Sequence, residues 1–261
     1  MIKKISLCVL LLSISVNASE TWTVKLIHEG FIHNIFFVDE MTGWACADIP
    51  GALKTEDGGK TWKKIYFGGN GTIYAIWFVT KDKGWAVGAH VEGSNYGDSG
   101  IRVHPAIYVT NNGGKSWHLQ KLLDNYSGGG DFNSVYFTDE LHGFASGGIT
   151  SNPGGILLYT SDGGENWTET DSQAMKEDDV SGYNVVIRDL YFIDQQQGWA
   201  MGYDLPKSKI FHTSDGGKTW SLLAKIDHWD LCNIHFTDSR NGWAVGSRQG
   251  KRNSFLRTTD G

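Results

Sequence analysis

The stretch Thr213–Trp220, TSDGGKTW, decides the fold of this chain, because near-copies of it recur along the sequence. A fixed octet that returns at intervals of roughly 50 residues is typical of repeat proteins, in which each copy is one supersecondary unit. The other copies read TEDGGKTW, TNNGGKSW, TSDGGENW and a shorter TTDG, and they begin at Thr55, Thr110, Thr160 and Thr258.

A second motif stands upstream of every octet and consists of an apolar strand, a turn and a Gly-Trp-Ala or Gly-Phe-Ala step. It reads NIFFVDEMTGWACA from Asn34 and returns from Ala75, Ser134, Asp189 and Asn233. Further short β-rich pieces lie between and after the two motifs. Each unit therefore predicts four short strands, the content of one propeller blade. We predict an all-β fold, a β-propeller of four-stranded blades, over residues 19–261.

Five blades are visible, and two interpretations of the ring stay open. Thr21–Leu26 resembles the end of an octet with its fourth strand, and the last unit lacks that strand, so pairing of the two would close a ring of five and remove an open edge. Alternatively, the chain is a fragment of a larger ring, for example of seven blades. A disulfide between Cys46 and Cys232, which fall in the first and last units, requires closure at five.

Residues 1–18 have the features of a secretory signal peptide, with Lys3 and Lys4 before the apolar run Ile5–Val16 and small residues at its end. We therefore expect a secreted or periplasmic protein. The run is too short to span a bilayer, so no transmembrane segment is expected. The net charge of −6 argues against nucleic-acid binding. Paired cysteine spacing is missing, so we expect no metal and no cofactor.

The chemistry of the octet indicates a structural role. Asp215 can accept hydrogen bonds from its own turn, Gly216 and Gly217 supply positive φ, and Trp220 offers an apolar face between sheets. Asn112 replaces the aspartate in one copy and keeps the acceptor, which indicates hydrogen bonding rather than charge. We assign this structural role to the equivalent positions, which are Asp57, Asn112, Asp162, Asp215 and Asp260, with Trp62, Trp117, Trp167 and Trp220.

The octet matches the Asp-box, or BNR repeat, of sialidases, some other glycosidases and sortilin-type receptors. The paired pattern F-x-D-x-x-x-G-W-A-x-G followed by T-x-D-G-G-x-T-W most resembles the photosystem II stability and assembly factor family. The resemblance covers nearly all of residues 21–261. It implies a secreted or lumenal propeller, typically of seven blades, that acts as a non-enzymatic assembly factor. A thylakoid-lumen location follows only if the host is photosynthetic.

Because successive strands alternate in direction, the octets and the D-x-x-x-G turns are expected on one face of the disc, and the remaining connections on the other. The second set varies in length, and binding residues usually lie on variable loops. We therefore predict that this variable face binds a protein or peptide partner, or else a glycan. The candidate residues are Arg102 and His104 in a long connection, Trp229 before the fifth unit, and His33, Tyr74, Arg188 and Asp189 where the central channel opens, with Asn133 and Cys232 at equivalent places.

A sialidase-like glycoside hydrolase is the alternative function. Such catalysis resembles a cluster of three arginines around a carboxylate, and Arg102 and Arg188 alone do not supply it. Glycosidases need two opposed carboxylates, and nothing in the spacing of Asp98, Asp189 and Asp204 selects a pair. No serine nucleophile elbow, metalloprotease helix or phosphate loop is present. We therefore predict a binding module without catalytic residues.

Overall fold

The computed structural model describes residues 4–5, 30–48, 51–68, 70–92, 102–124, 129–149, 154–170, 185–204, 207–227, 229–248 and 251–261. Within this part of the chain the structure contains strands and no helix, hence no helix that could cross a membrane. The predicted fold is confirmed: five antiparallel blades are arranged in a ring as a β-propeller.

Each blade is a sheet whose strands pair in chain order. The inner strand of each blade is the first strand of its sequence repeat. The strands are β1 Lys4–Ile5, β2 Ile32–Phe37, β3 Gly43–Ala47, β4 Gly51–Thr55 and β5 Lys63–Tyr66 in blade 1; β6 Asn70–Phe78, β7 Gly84–Glu92, β8 Arg102–Thr110 and β9 His118–Leu122 in blade 2; β10 Gly130–Phe137, β11 Gly143–Ile149, β12 Gly154–Thr160 and β13 Thr168–Glu169 in blade 3; β14 Val186–Phe192, β15 Gly198–Asp204, β16 Lys207–Thr213 and β17 Ser221–Asp227 in blade 4; and β18 Trp229–Phe236, β19 Gly242–Arg248 and β20 Lys251–Thr258 in blade 5.

Two predictions about the N-terminal region lie mostly outside the described residues. Of residues 1–18, only β1 is described, and it pairs with β2. Thr21–Leu26, the predicted fourth strand for the last blade, is not among the described residues either. The signal peptide and the pairing of the termini therefore stay predictions.

Aromatic stacking joins neighbouring blades. In blades 1 to 4, the tryptophan or phenylalanine of the Gly-Trp-Ala or Gly-Phe-Ala step stacks on the phenylalanine that ends the inner strand of the next blade. Trp85, for example, lies parallel to Phe137 with 3.4 Å between ring centroids. The Asp-box tryptophan of blade 3, Trp167, then meets the edge of Phe137. Three aromatic rings thus form the centre of the interfaces between blades 1 and 2, 2 and 3, and 3 and 4, where they bury large apolar surfaces.

Glycine before the tryptophan leaves room for this packing. A Cβ atom on Gly84 would lie 2.5 Å from the Phe78 ring of the same blade. The same short approach recurs in all five blades, which explains why the step always begins with glycine. The repeat therefore specifies both the aromatic side chain and the glycine that leaves space for it.

The Asp-boxes close turns on one face of the disc. In blade 4, the Thr213 hydroxyl donates to Asp215 Oδ1 at 2.8 Å, and the Thr219 N–H donates to the same oxygen at 2.9 Å. The Gly216 N–H donates to the Gln196 carbonyl at 3.0 Å, which ties the octet to the D-x-x-x-G turn of its own blade. Octets and first hairpin turns therefore share one face, as the sequence predicts, and the remaining connections lie opposite.

Candidate functional site

A bulge interrupts the inner strand of every blade at the same position. The pairing register with the second strand shifts between Ile32 and Asn34, and equivalent shifts occur in the other four blades. A bulge leaves one residue out of the ladder and re-aims its side chain. The five bulged residues are His33, Tyr74, Asn133, Arg188 and Cys232.

These five residues, which we call the mouth ring, line a single pocket of about 80 Å³ on the channel axis. The sequence placed them at equivalent positions, and the structure brings them together. The pocket has room for a few water molecules, whose share of liquid volume is about 30 Å³ each. It is much smaller than ligand pockets for small molecules, which measure about 300–1,000 Å³. A ligand larger than a few water molecules cannot enter this pocket and must therefore bind at the surface of the mouth ring.

One side of the ring holds an imidazole and a phenol. His33 Nε2 lies 2.8 Å from Asp48 Oδ1, and the His33 ring meets the edge of the Tyr74 ring at 4.8 Å. Burial raises the pKa of Tyr74, and the charges of Asp131 and Asp48 raise it further. Tyr74 is therefore a neutral hydroxyl at physiological pH, able to donate and accept hydrogen bonds.

The opposite side of the ring is cationic. Arg188 Nη2 lies 3.5 Å from Asp230 Oδ1, and the guanidinium carbon lies 4.3 Å from the centroid of the Tyr203 ring. The Arg188 side chain is 34% exposed, so its outer edge faces solvent. Stacking on tyrosine holds the plane of the guanidinium without using all of its N–H donors. Arg188 can therefore receive a carboxylate or a peptide carbonyl.

A partly buried carboxyl group, that of Asp131, lies near these two sides. Burial raises the pKa of Asp131, whereas a hydrogen bond from Asn133 and the charges of Arg188 and His33 lower it in part. Asp131 thus adds an acidic group to a ring that already holds a cation and an imidazole. The mouth is polar and mixed in charge.

Asp189 follows Arg188 but has a different environment. It is 3% exposed, and its carboxylate accepts hydrogen bonds from Ser134 Oγ at 3.1 Å, Asn233 Nδ2 at 2.6 Å and the Ile234 N–H at 3.1 Å. These donors come from blades 3 and 5, so the carboxylate of blade 4 joins three inner strands. This geometry fits a structural acceptor rather than a group that meets ligand.

Two of the other predicted candidates, Arg102 and His104, do not line the pocket of the mouth ring. Arg102 begins β8 and is exposed, with Glu92 opposite it in the ladder. His104 is 6% exposed and lies opposite His90, with Nδ1 3.3 Å from the Leu123 carbonyl. Trp229 begins β18 and pairs through its backbone with Arg248; its side chain is outside the described residues. Arg102 and His104 therefore do not join His33, Tyr74 and Arg188.

Four polar residues around the mouth escaped sequence reasoning. Asp131 and Asp230 each stand two residues before a bulged residue, and this shared offset is a signal that the repeat alignment contains. Asp48 and Tyr203 come from the second strand or the residue after it, near the connection to the third. These two also share an offset in the repeat alignment, since each stands five residues after the glycine of the Gly-Trp-Ala step of its blade.

Both cysteines of the predicted disulfide lie within the described residues. No disulfide joins Cys46 and Cys232, and burial raises the pKa of Cys46 far above its usual range. Cys232 belongs to the mouth ring, whereas Cys46 is enclosed within blade 1. In the described part of the chain, no three His, Cys, Asp or Glu side chains are grouped as metal ligands would be.

Comparison with known proteins shows the fold. No protein-family model matches the chain, and no curated protein matches it. Solved structures that are similar include YCF48 bound to D1 peptide, with a TM-score of 0.46 and 16% identity over 91% of this chain and 80% of that one. The NanB sialidase from Streptococcus pneumoniae has a TM-score of 0.49 and 11% identity over 93% of this chain and 61% of that one. The GH74 xyloglucanase from Xanthomonas campestris has a TM-score of 0.52 and 16% identity over 84% of this chain and 37% of that one.

The chain is similar to Asp-box propellers. The resemblance predicted from its repeats, to sialidase-type propellers and to photosystem II assembly factors, is confirmed at the level of the fold. This chain spans little more than a third of the xyloglucanase. Similar structures include both enzymes and a non-enzymatic protein. Function must therefore be argued from the site, since one fold supports many activities.

Proposed function

We propose that this chain is a non-enzymatic, assembly-factor-like propeller that binds a peptide segment of a partner protein across the mouth ring. The observation that carries the proposal is the shared bulge, which turns one side chain of every blade toward the channel axis. The bulge is repeated in all five blades, but a different residue type stands at it in each blade, which suits ligand recognition better than packing. Bulges that re-aim side chains are over-represented next to functional sites.

The chemistry of the ring suits a peptide. Arg188 offers guanidinium N–H groups, Tyr74 a hydroxyl and Asn133 an amide, so backbone and carboxylate groups of a peptide would both find partners. Arginine and tyrosine are also the residue types that contribute most to protein interfaces. The shallow pocket of about 80 Å³ favours a chain lying across it over an enclosed sugar. D1 peptide is the ligand of YCF48; for this chain the peptide is inferred from the ring alone.

The location of the partner follows from the N-terminal sequence. The basic and apolar composition of residues 1–18 supports export, so we place the partner in the periplasm or outside the cell. A glycan on the same face is the other ligand that this location would offer.

Capture of partners from an envelope extract tests the proposal. Arg188→Ala should weaken capture by about tenfold or more, since interface arginines often contribute over about 2 kcal/mol. Arg240→Ala is the matched control, because Arg240 is exposed in the D-x-x-x-G turn of blade 5, on the opposite face. The proposal fails if Arg188→Ala and Tyr74→Ala both leave capture intact, or if the Arg240 control loses as much.

A glycoside hydrolase is the competing function, and one observation favours it. Asp131 is a carboxyl group whose pKa is raised by burial, as in general acids of glycosidases. A screen of fluorogenic glycosides decides the matter. Turnover that Asp131→Asn abolishes would establish the enzyme, whereas Asp189→Asn is a poor probe because that carboxylate joins three blades.

A further inference from the structure

A second surface lies at the outer rim, between the last strand of blade 1 and the Asp-box of blade 2. It is a groove of about 650 Å³, which is within the range of pockets that hold ligands, about 300–1,000 Å³. Lys63, Lys64 and Tyr66 line it from β5, and Lys115 lines it from the octet of blade 2. We call this surface the rim groove. It is at the outer rim on the octet side of the disc, whereas the mouth ring lies on the channel axis toward the variable connections.

The carboxylates of the rim groove are already engaged. Lys54 Nζ donates to Glu56 Oε1 at 2.9 Å. Asp57 accepts hydrogen bonds from the Thr61 N–H at 2.8 Å and the Thr61 hydroxyl at 2.6 Å. The acidic groups near the groove thus serve a lysine pair and an Asp-box turn.

Three lysines are left over. Lys63, Lys64 and Lys115 are exposed, and no ion pair joins them to a carboxylate within the described residues. The pKa of Glu56 is lowered first by Lys54, and Lys63 and Lys115 lower it further, so these ammonium groups act on one region. The groove is a cationic patch on a chain whose net charge is −6.

Other blade junctions show that this patch is not a property of the repeat. At the junction of blades 2 and 3, Gln120 Nε2 donates to the Gly163 carbonyl at 3.0 Å, and Glu165 stands where Lys115 does. At the junction of blades 3 and 4, Glu169 ends the outer strand. The equivalent positions at these other two blade junctions therefore have acidic or mixed side chains instead of a cluster of lysines.

The outer strand of blade 1 also has an open edge. β5 is the last strand of its sheet, and no described strand pairs with its outer side. Lysines on an edge discourage pairing with other strands, but cross-strand pairs of opposite charge stabilise a sheet. Tyr66, which is 68% exposed, adds an aromatic contact at the end of the same strand.

We propose that the rim groove binds an extended acidic peptide, which adds along β5 and sets its carboxylates against Lys63, Lys64 and Lys115. Edge addition supplies main-chain hydrogen bonds, and the lysines select the charge of the added strand. A lysine-bearing edge excludes neutral and basic strands. The groove is therefore a site for an acidic segment of a partner protein, independent of the mouth ring.

Fluorescence anisotropy with the full chain tests this site, with a labelled peptide of alternating Glu and Val as the probe. The double variant Lys63→Glu/Lys64→Glu should weaken binding at least tenfold. A control pair, Lys218→Glu/Arg240→Glu, makes the same charge change at exposed positions of blades 4 and 5 and should stay within about twofold, because surface charges are screened beyond about 10 Å. Unchanged thermal unfolding of both variants shows that they remain folded.

Three further probes can overturn the proposal. A peptide of the same charge with proline at alternate positions cannot donate along the edge, and equal binding would refute strand addition. Equal loss in both double variants would reduce the effect to net charge. The third probe is a set of anionic vesicles or a polyuronate. If either binds through Lys63 and Lys64 and the Glu-Val peptide does not bind, the groove is a site for another class of ligand.

Discussion

The face that blade 2 turns toward blade 3 and the corresponding face of blade 5 carry the same motif but differ in burial. Trp85 and Val87 have no exposed surface. Val245, which occupies the position of Val87 in blade 5, is 38% exposed, and its cross-strand partner Phe255 is 69% exposed. Trp243, the equivalent of Trp85, is only partly buried.

This difference has its cause in the neighbouring blade. Trp85 stacks on Phe137, and its indole N–H donates to the Gly163 carbonyl at 3.2 Å, both in blade 3. Trp243 instead has the guanidinium of Arg257, from its own blade, 5.8 Å from its ring centroid. The motif thus specifies the shape of a face, and the Phe and octet of the next blade decide how much that face contributes to stability.

Tryptophan truncation should give the largest contrast between the two faces. Trp85→Ala removes a fully buried ring and should lower the free energy of unfolding by about 3–5 kcal/mol. Trp243→Ala should cost less than half as much, since part of the ring already meets solvent. Denaturant titration followed by circular dichroism measures both. Equal losses would mean that another surface covers Trp243 in solution, and the contrast between the faces would disappear.

Substitution of the glycine before the tryptophan should destabilise the protein by a similar amount in blade 2 and in blade 5, unlike truncation of the tryptophan. Gly84→Ala places a Cβ 2.5 Å from the Phe78 ring, and Gly242→Ala places one 2.4 Å from the Phe236 ring. Each clash lies within one blade, so both variants should lose a similar amount, about 1–3 kcal/mol for overpacking. The same titrations measure it. A Gly242 variant as stable as the parent would show that Phe236 can move aside in blade 5, and the argument for a rigid pocket would fail there.

Sequence alone predicted much of the propeller fold, because its turns and strands are determined by local residue patterns. Asp215 and its glycines mark a turn by their own chemistry, and the spacing of octet and Gly-Trp-Ala step predicts four strands per unit. Alignment of the repeats also placed His33, Tyr74 and Arg188 at one level of the channel. The bulge that turns them inward left no signal in any single unit, since their residue types differ.

The contacts between blades lay beyond sequence reasoning. Asp189 was a candidate for binding, and only the structure shows donors from Ser134 and Asn233 around it. Asp230 of blade 5 likewise reaches Arg188 of blade 4. Side chains from separate repeats meet according to blade twist and spacing, which no local pattern encodes.

The smallest expected difference between an inner blade and blade 5 is in the pH dependence of the stability that their Asp-box aspartates contribute. Asp162 accepts hydrogen bonds from the backbone and side chain of Asn166 and from the Thr160 hydroxyl, at 2.8 to 2.9 Å, and these bonds lower its pKa from 3.8 to about 2. A lowered folded-state pKa means stability that is present above pH 4 and is lost as the pH falls toward 2. Asp260, in blade 5, accepts one described hydrogen bond, from Thr258.

Asp162→Asn should therefore lower the melting temperature slightly at pH 6 and match the parent near pH 2, whereas Asp260→Asn should change it less at either pH. Asn112 makes the same exchange naturally in blade 2, where it still accepts from the Ser116 N–H at 3.0 Å. Melting curves between about pH 2 and pH 6 measure the difference. The effect is small because Asp162 is partly exposed to solvent, which screens its charge. A parent and an Asp162 variant that differ equally at all pH values would show that the carboxylate acts by shape alone, and the charge of the box would then be dispensable in every blade.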